Sequence, residues 1–169
     1  MFIRIITLFF LSLSACNFSI QDLPGNFTGK VVGIKDGDTF VIMLGGKAEK
    51  VRLAHIDCPE KSQPYGTRAK QFASDLCFGK EVIVISTERD RYKRIVGTIY
   101  LKDGTNVNKE LVKAGLAWHY QQYSDDPAYS ILETVARKNK KGLWSQKNVI
   151  APWEWRKQKK KPKKTAALY

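Results

Sequence analysis

The feature that most restricts the fold of this chain is a series of five short β-type segments between residues 27 and 101. They are rich in β-branched residues or alternate apolar and polar side chains, and they cover residues 27–35, 39–44, 49–56, 81–87 and 94–101. The dipeptides Asp36-Gly37 and Gly45-Gly46 between the first three segments are typical of tight hairpin turns. The pattern therefore predicts an antiparallel meander followed by two further strands.

Three segments have the period of an α-helix instead. Apolar residues recur at helical spacing over residues 64–78, 106–114 and 127–140, and a glycine follows or ends each segment. Five strands with three helices predict an α+β fold, a five-stranded OB-fold barrel of Greek-key type. Such barrels serve many unrelated functions, so the fold alone does not identify an activity.

The amino terminus has the pattern of an export signal. Residues 5–13 are almost wholly apolar, too short for a membrane-spanning helix and followed by Leu-Ser-Ala-Cys. This end resembles a bacterial lipobox, which implies cleavage after residue 15 and acylation of Cys16. An ordinary signal peptide is the alternative. We expect an exported lipoprotein, anchored in a membrane and facing the periplasm or the cell exterior.

Cys58 and Cys77 are the remaining cysteines. An oxidising compartment would allow a disulfide between them, but the sequence does not give their separation. Two buried thiols are the equal alternative.

Charge indicates a polyanionic partner. The chain carries a net charge of +13, and the segment after Glu154 has seven lysines and arginines with no acid. An excess of this sign favours nucleic acid or an anionic membrane surface. The segment after residue 156 is also typical of a solvated, disordered tail. We therefore expect a signal peptide over 1–15, a linker over 16–26, a domain over 27–156, and a basic disordered tail over 157–169.

Acids and arginines gather at the ends of the predicted strands. Four polar or aromatic clusters stand out, at residues 36–39, 52–60, 90–94 and 118–123. Phosphodiester hydrolysis needs these residue types: carboxylates for a hard cation, arginines for the phosphate oxygens, and a carboxylate to orient or deprotonate water. The chain has two histidines, and we expect neither of them to be a ligand in so oxygen-rich a site.

Three of these clusters resemble the staphylococcal nuclease family, in order and with matching spacing. The matching segments are residues 33–39, 51–60 and 90–94, and the similarity continues through 107–117, 142–144 and 152–156. The resemblance implies a Ca²⁺-dependent endonuclease that cleaves DNA and RNA with little sequence specificity and leaves 3′-phosphate ends. It implies a monomer that acts best on single strands.

The resemblance also implies roles for individual residues. Asp38, Asp57 and the backbone carbonyl of Cys58 would bind Ca²⁺, with Asp36 nearby. Glu60 would be the general base, and Arg52 and Arg94 would bind the phosphate. Tyr92 and Tyr123 would line the nucleotide site. The family's best-known member has threonine at the position of Cys58, and a second tyrosine expected in the fourth cluster falls on Gln121, beside Tyr120.

Two other functions fit part of the pattern. A catalytically silent barrel would bind nucleic acid without cleaving it, but all five charged residues of the implied chemistry are present. A surface adhesin would use the lipid anchor and the basic tail to bind anionic polymers, and deletion of residues 157–169 would then abolish its function.

Overall fold

The structure is a computed structural model, and it describes residues 25–160. The predicted signal peptide, Cys16 and most of the predicted basic tail lie outside the described residues. Within residues 25–160, no helix is both long enough and apolar enough to cross a membrane.

Five strands form a closed barrel in the order β1-β2-β3-β6-β5. Every neighbouring pair is antiparallel except β3 and β6, which run parallel. The predicted OB-fold barrel is confirmed, and the strands lie close to their predicted positions. They are β1 (Asn26–Asp36), β2 (Thr39–Leu44), β3 (Lys47–Leu53), β5 (Glu81–Arg89) and β6 (Ile95–Leu101).

A separate two-stranded sheet lies beside the barrel. β4 (Ile56–Asp57) pairs with β7 (Trp118–His119), so that Asp57 lies opposite Trp118. This pairing joins the second predicted cluster to the fourth, which is about 60 residues away in the chain.

The three predicted helices are present, and a fourth follows them. They are α1 (Gly66–Cys77), α2 (Val107–Lys113), α3 (Pro127–Lys138) and α4 (Pro152–Lys160). Short 3₁₀ turns cover Gln121–Tyr123 and Gly142–Ser145. The structure thus has one helix more than the sequence predicted, and the first residues of the predicted tail, from residue 157, lie inside α4.

The barrel interior is filled by the inward-facing residues that the strand alternation predicts. Val31, Phe40, Ile42, Val51 and Ile99 are fully buried. A fully buried side chain of this kind stabilises the fold by about 1.5–3 kcal/mol. The core therefore makes a rigid support for the polar residues at the strand ends.

Cys58 and Cys77 are both buried free thiols in the structure. The Cys77 thiol donates a hydrogen bond to the carbonyl of Ala73 one turn earlier in α1. Burial raises the pKa of both thiols. The sequence left a disulfide and two buried thiols as equal alternatives, and the structure has the two buried thiols.

Candidate active site

The turn between β1 and β2 fixes two of the predicted acids. A β-carbon on Gly37 would lie 2.8 Å from the Cys58 thiol and 2.8 Å from the Ala69 methyl group. Only glycine permits this approach, because real β-carbons do not come so close to other side chains. Asp36 and Asp38 are thereby held against the chain at Cys58. The Asp38 amide donates to Asp36 at 3.3 Å, and the Cys58 amide donates to Asp38 at 2.6 Å.

Arg52 links the two predicted metal-binding acids. One of its terminal nitrogens lies 2.9 Å from Asp38 Oδ2, and the other lies 2.8 Å from Asp57 Oδ1. The Leu53 carbonyl also accepts a hydrogen bond from Arg52. Asp38 and Asp57 are 6% and 1% exposed, so one guanidinium serves two buried carboxylates.

The loop after β4 positions Glu60. Gln63 accepts a hydrogen bond from the Glu60 amide and donates one to the carbonyl of Ile150 at 2.6 Å. A β-carbon on Gly66 would lie 1.9 Å from the Glu60 carbonyl oxygen, so the start of α1 packs directly on the Glu60 backbone. Glu60 is thus held between α1 and the segment that precedes α4, and its side chain stays half-exposed.

Arg156 is a site residue for which the sequence analysis gave no role. From α4 it donates to Asp57 Oδ2 at 2.8 Å, to Asp57 Oδ1 at 3.3 Å and to Glu60 Oε1 at 2.8 Å. These partners are almost one hundred residues away in the chain, so no local pattern indicates the contact. Pro152 at the start of α4 and Glu154 in its first turn are the helix signals that the sequence offers.

We name Asp36, Asp38, Asp57 and Glu60 the carboxylate cluster. Four acids face two guanidiniums here, those of Arg52 and Arg156. Burial raises the pKa of Asp38 to about 7, although Arg52 and the Cys58 amide lower it. Burial likewise raises the pKa of Asp57 against the lowering by Arg156 and Arg52. The cluster thus contains four acids for two guanidiniums, and its two buried acids, Asp38 and Asp57, keep raised pKa values despite these cations.

The donor set of the cluster fits a hard divalent cation. Carboxylate and carbonyl oxygens are the ligands that Ca²⁺ takes in proteins, and Asp38 and Asp57 lie on the same guanidinium. No group of three or more His, Cys, Asp and Glu side chains in residues 25–160 is arranged as a metal site. A cation held here would therefore depend on two carboxylates together with backbone carbonyl or water oxygens.

Arg94 lies at the edge of the site. Its Nε donates to Asp90 at 2.7 Å, and a terminal nitrogen reaches the Thr39 hydroxyl at 3.4 Å. Thr39 follows Asp38 and pairs with Arg52 across the β2–β3 ladder. Tyr92 is exposed, with the guanidinium of Arg94 5.5 Å from its ring centre. The structure thus connects Arg94 to the cluster through Thr39 and brings Tyr92 against Arg94.

The fourth predicted cluster reaches the site through Tyr120. Its side chain hydrogen-bonds to Arg156, and burial raises its pKa. Tyr123 is exposed and lies edge-on to Tyr120, with ring centres 4.8 Å apart. Tyr120 stacks in parallel on Trp153 of α4 at 5.2 Å. Tyr123 therefore borders the site, while Tyr120 connects it to α4.

The two histidines lie together on another side of β4. His119 is buried and contacts the hydroxyls of Ser130 and Ser124, and His55 contacts the same Ser124 hydroxyl. Both rings stack with Tyr129. These contacts make the histidines part of the packing between β4 and α3.

The sequence of the chain is similar to one family of known proteins. The family described as "Staphylococcal nuclease homologue" matches residues 50–146. The chain is 45% identical over 142 residues to a protein of Escherichia coli named "Uncharacterized endonuclease", covering 84% of this chain and 93% of that protein. It is 43% identical over 154 residues to a protein of the same name from Haemophilus influenzae, covering 90% of this chain and 83% of that one. It is 40% identical over 146 residues to "Micrococcal nuclease" of Shigella flexneri, covering 80% and 83% of the two chains.

Proposed function

The chain belongs to the staphylococcal nuclease family, and from this premise we propose that it is a Ca²⁺-dependent endonuclease. Its substrates are DNA and RNA, preferably single-stranded, which it hydrolyses with little sequence specificity to give 3′-phosphate ends. The observation that carries the proposal is the buried pair Asp38 and Asp57 on one guanidinium, with Glu60 alongside.

The surplus of carboxylates supports the dependence on a cation. Burial of the Asp38 and Asp57 carboxylates is costly, as their raised pKa values indicate, and a divalent cation would reduce that cost. Asp38, Asp57 and the carbonyl of Cys58 would hold Ca²⁺, which would supply neutralising charge at the scissile phosphate.

Arginine and glutamate side chains carry the remaining chemistry. Arg52 is fixed in orientation by Asp38, Asp57 and the Leu53 carbonyl, so its guanidinium is prepared to stabilise negative charge on the phosphate oxygens. Arg94 stabilises the same charge from the Thr39 side. Glu60 accepts a proton from the attacking water, because its half-exposed carboxylate is open to solvent on one side.

Basic and aromatic side chains around the cluster suit an extended polyanion. A pocket of about 260 Å³ beside Asp36 is lined by Lys35, Lys61 and Lys70. Exposed lysines bind backbone phosphates without reading sequence. Exposed rings such as Tyr92 and Tyr123 can stack with any base, which favours a single-stranded and sequence-tolerant substrate.

Cleavage of single-stranded DNA and of RNA, in Ca²⁺ and in excess chelator, tests the proposal when the product ends are also analysed. We expect cleavage of both polymers in Ca²⁺ only, with 3′-phosphate ends. Binding without cleavage under every condition would instead identify a silent nucleic-acid-binding barrel. Cleavage that persists in chelator would contradict the assignment of Asp38 and Asp57 as metal ligands.

We also propose that the protein is exported and anchored in a membrane through an acylated Cys16. The apolar run over residues 5–13 and the following Leu-Ser-Ala-Cys support this, and several acyl chains on one residue would give stable anchoring. Labelling with a radioactive fatty acid should mark the protein and should fail for Cys16→Ser. Equal labelling of both would contradict the proposal.

A further inference from the structure

Arg156 makes the closest contacts to the carboxylate cluster from outside the barrel. It pairs with both oxygens of Asp57 and with one oxygen of Glu60, at 2.8 to 3.3 Å. Asp57 Oδ1 also accepts from Arg52 at 2.8 Å. Both oxygens of this buried carboxylate are therefore engaged by guanidinium groups.

α4 is also held in place by contacts that do not involve the Arg156 side chain. Trp153 stacks on Tyr120 and lies edge-on to Trp118, with ring centres 5.2 and 5.4 Å away. At the other end of the helix, Lys159 donates to the Ser62 hydroxyl in the loop after Glu60. The Arg156 side chain is 39% exposed, so it can leave the carboxylates while the helix stays in place.

The contacts of Arg156 conflict with a metal ion bound to Asp57. A cation that uses an Asp57 oxygen must share it with a guanidinium or displace that guanidinium, and of the two guanidiniums Arg156 is the more exposed. If Arg156 stayed beside the cation, the two like charges would repel each other. If Arg156 left, its ion pairs with Asp57 and Glu60 would be lost. In both cases Arg156 opposes the binding of the metal.

We propose that Arg156 is a built-in cation that competes with the metal for Asp57 and pairs with Glu60 at the same time. This inference rests on the proposed function, because it takes Asp57 as a metal ligand. In the metal-free protein Arg156 partly neutralises the cluster and keeps Asp57 and Glu60 together. When the metal binds, Arg156 gives up Asp57, and its guanidinium turns towards solvent, where the phosphates of a nucleic acid are its natural partners.

If Arg156 competes with the metal for Asp57, substitution of Arg156 should strengthen the binding of Ca²⁺. Titration calorimetry with CaCl₂ in the absence of nucleic acid should show about tenfold tighter binding for Arg156→Gln than for the wild-type protein. Tenfold corresponds to about 1.4 kcal/mol. Arg156→Lys, which keeps the charge but cannot pair bidentately with Asp57, should lie between the two.

Lys157→Gln is the matched control. It removes the same formal charge from the neighbouring position, and the partner of Lys157 is Glu154 on the same helix. Its Ca²⁺ affinity should stay within about twofold of wild type, since exposed charges are strongly screened by solvent. A gain in Lys157→Gln equal to that in Arg156→Gln would show a general charge effect and overturn the competition.

Asp38→Asn separates failure of this inference from failure of the proposed function. If wild-type protein binds Ca²⁺ and Asp38→Asn does not, the metal site stands. If Arg156→Gln then bound Ca²⁺ as tightly as wild type or less tightly, only the proposed competition would be overturned. Arg156 would in that case serve to position the Glu60 side chain. If neither wild-type protein nor Arg156→Gln binds Ca²⁺, both the inference and the proposed metal dependence fail.

Discussion

Two buried ion-pair networks lie on the same strand and differ in the balance of their charges. Glu49 and Arg52 are three residues apart on β3. Glu49 is contacted by Lys47 at 3.0 Å and by Arg89 at 3.2 Å, so two cations serve one acid. We name these three residues the Glu49 network. In the carboxylate cluster, four acids share two guanidiniums.

The pKa values follow this balance. Burial disfavours the charged form of Glu49, but hydrogen bonds from Lys47 and Arg89 outweigh it and lower its pKa. Burial wins at Asp38, where the pKa is raised to about 7, and at Asp57. The same barrel therefore gives one buried acid two cations and gives the neighbouring group of four acids only two guanidiniums. The second arrangement costs stability, which is the expected condition of a site that binds a cation.

Substitutions of Arg52 and Glu60 should have the largest effect. Arg52→Lys and Glu60→Gln should each lower turnover about 100- to 1,000-fold while the protein stays folded, because each removes a group that acts on the reacting atoms. Steady-state cleavage rates and circular dichroism measure the two outcomes. Arg89→Lys in the Glu49 network is the control and should keep near-normal turnover. Near-normal rates for both site variants would remove these residues from the mechanism.

Displacement of the Glu60 loop should have the next largest effect. A methyl group at Gly66 would collide with the Glu60 carbonyl oxygen, so Gly66→Ala should shift Glu60 and lower turnover about tenfold or more, since small misplacements of catalytic groups are costly. Thr67→Ala, at the next and exposed position, should be close to wild type in the same assay. A fully active Gly66→Ala protein would show that the position of Glu60 is not critical.

The two networks should respond oppositely to neutralisation in the absence of metal. At pH 7 in chelator, Asp38→Asn should raise the free energy of unfolding by about 2 kcal/mol, because it removes a buried charge whose pKa lies well above its unfolded value. Glu49→Gln should lower it by about 2 kcal/mol, because it removes a charge that two cations satisfy. Urea unfolding measures both changes.

The pH dependence sharpens this contrast. With a folded pKa of about 7 and an ordinary value of 3.8, ionisation of Asp38 removes stability as pH rises from about 4 to 7. The advantage of Asp38→Asn should therefore disappear below pH 4. The pKa of Glu49 is lowered instead, so its contribution is present at neutral pH and is lost as pH falls through its folded pKa. Parallel pH profiles for the two variants would contradict the comparison.

Substitution at the edge of the site should have the smallest effect. Lys70 lines the pocket beside Asp36, and Lys70→Ala should raise KM about two- to fivefold at low salt without changing kcat. The effect should fade at higher ionic strength, because an exposed phosphate contact is screened. A change in kcat that is insensitive to salt would instead give Lys70 a role in the chemistry.

Local patterns predicted the barrel because its strands are bounded by strong turn signals. Asp36-Gly37 and Gly45-Gly46 mark two hairpins, and β2 has the predicted bounds of residues 39–44. The same turns predicted where acids and arginines would gather. Asp38 and Arg52 meet because Asp38 directly precedes β2, whose first residue pairs with Arg52 on β3. A hairpin pattern in the sequence predicts this kind of strand pairing.

Contacts made by distant segments could not be predicted in this way. Arg156 reaches Asp57 and Glu60 only because α4 packs through Trp153 on Tyr120. The strongly basic composition of residues 157–169 predicts a disordered tail, whereas α4 continues from Pro152 to Lys160. The state of Cys58 and Cys77 likewise depends on a distance that only the fold sets.

The most direct test of this account is the effect of Ca²⁺ on the thermal unfolding of wild-type protein and of Asp38→Asn. If the carboxylate cluster binds the Ca²⁺ that the proposed function requires, saturating Ca²⁺ should raise the Tm of wild-type protein by several degrees, since a ligand that binds only the folded state stabilises it. Asp38→Asn should start from a higher Tm in chelator and should not respond to Ca²⁺. A wild-type Tm that is indifferent to Ca²⁺, or an equal rise in both proteins, would contradict the account.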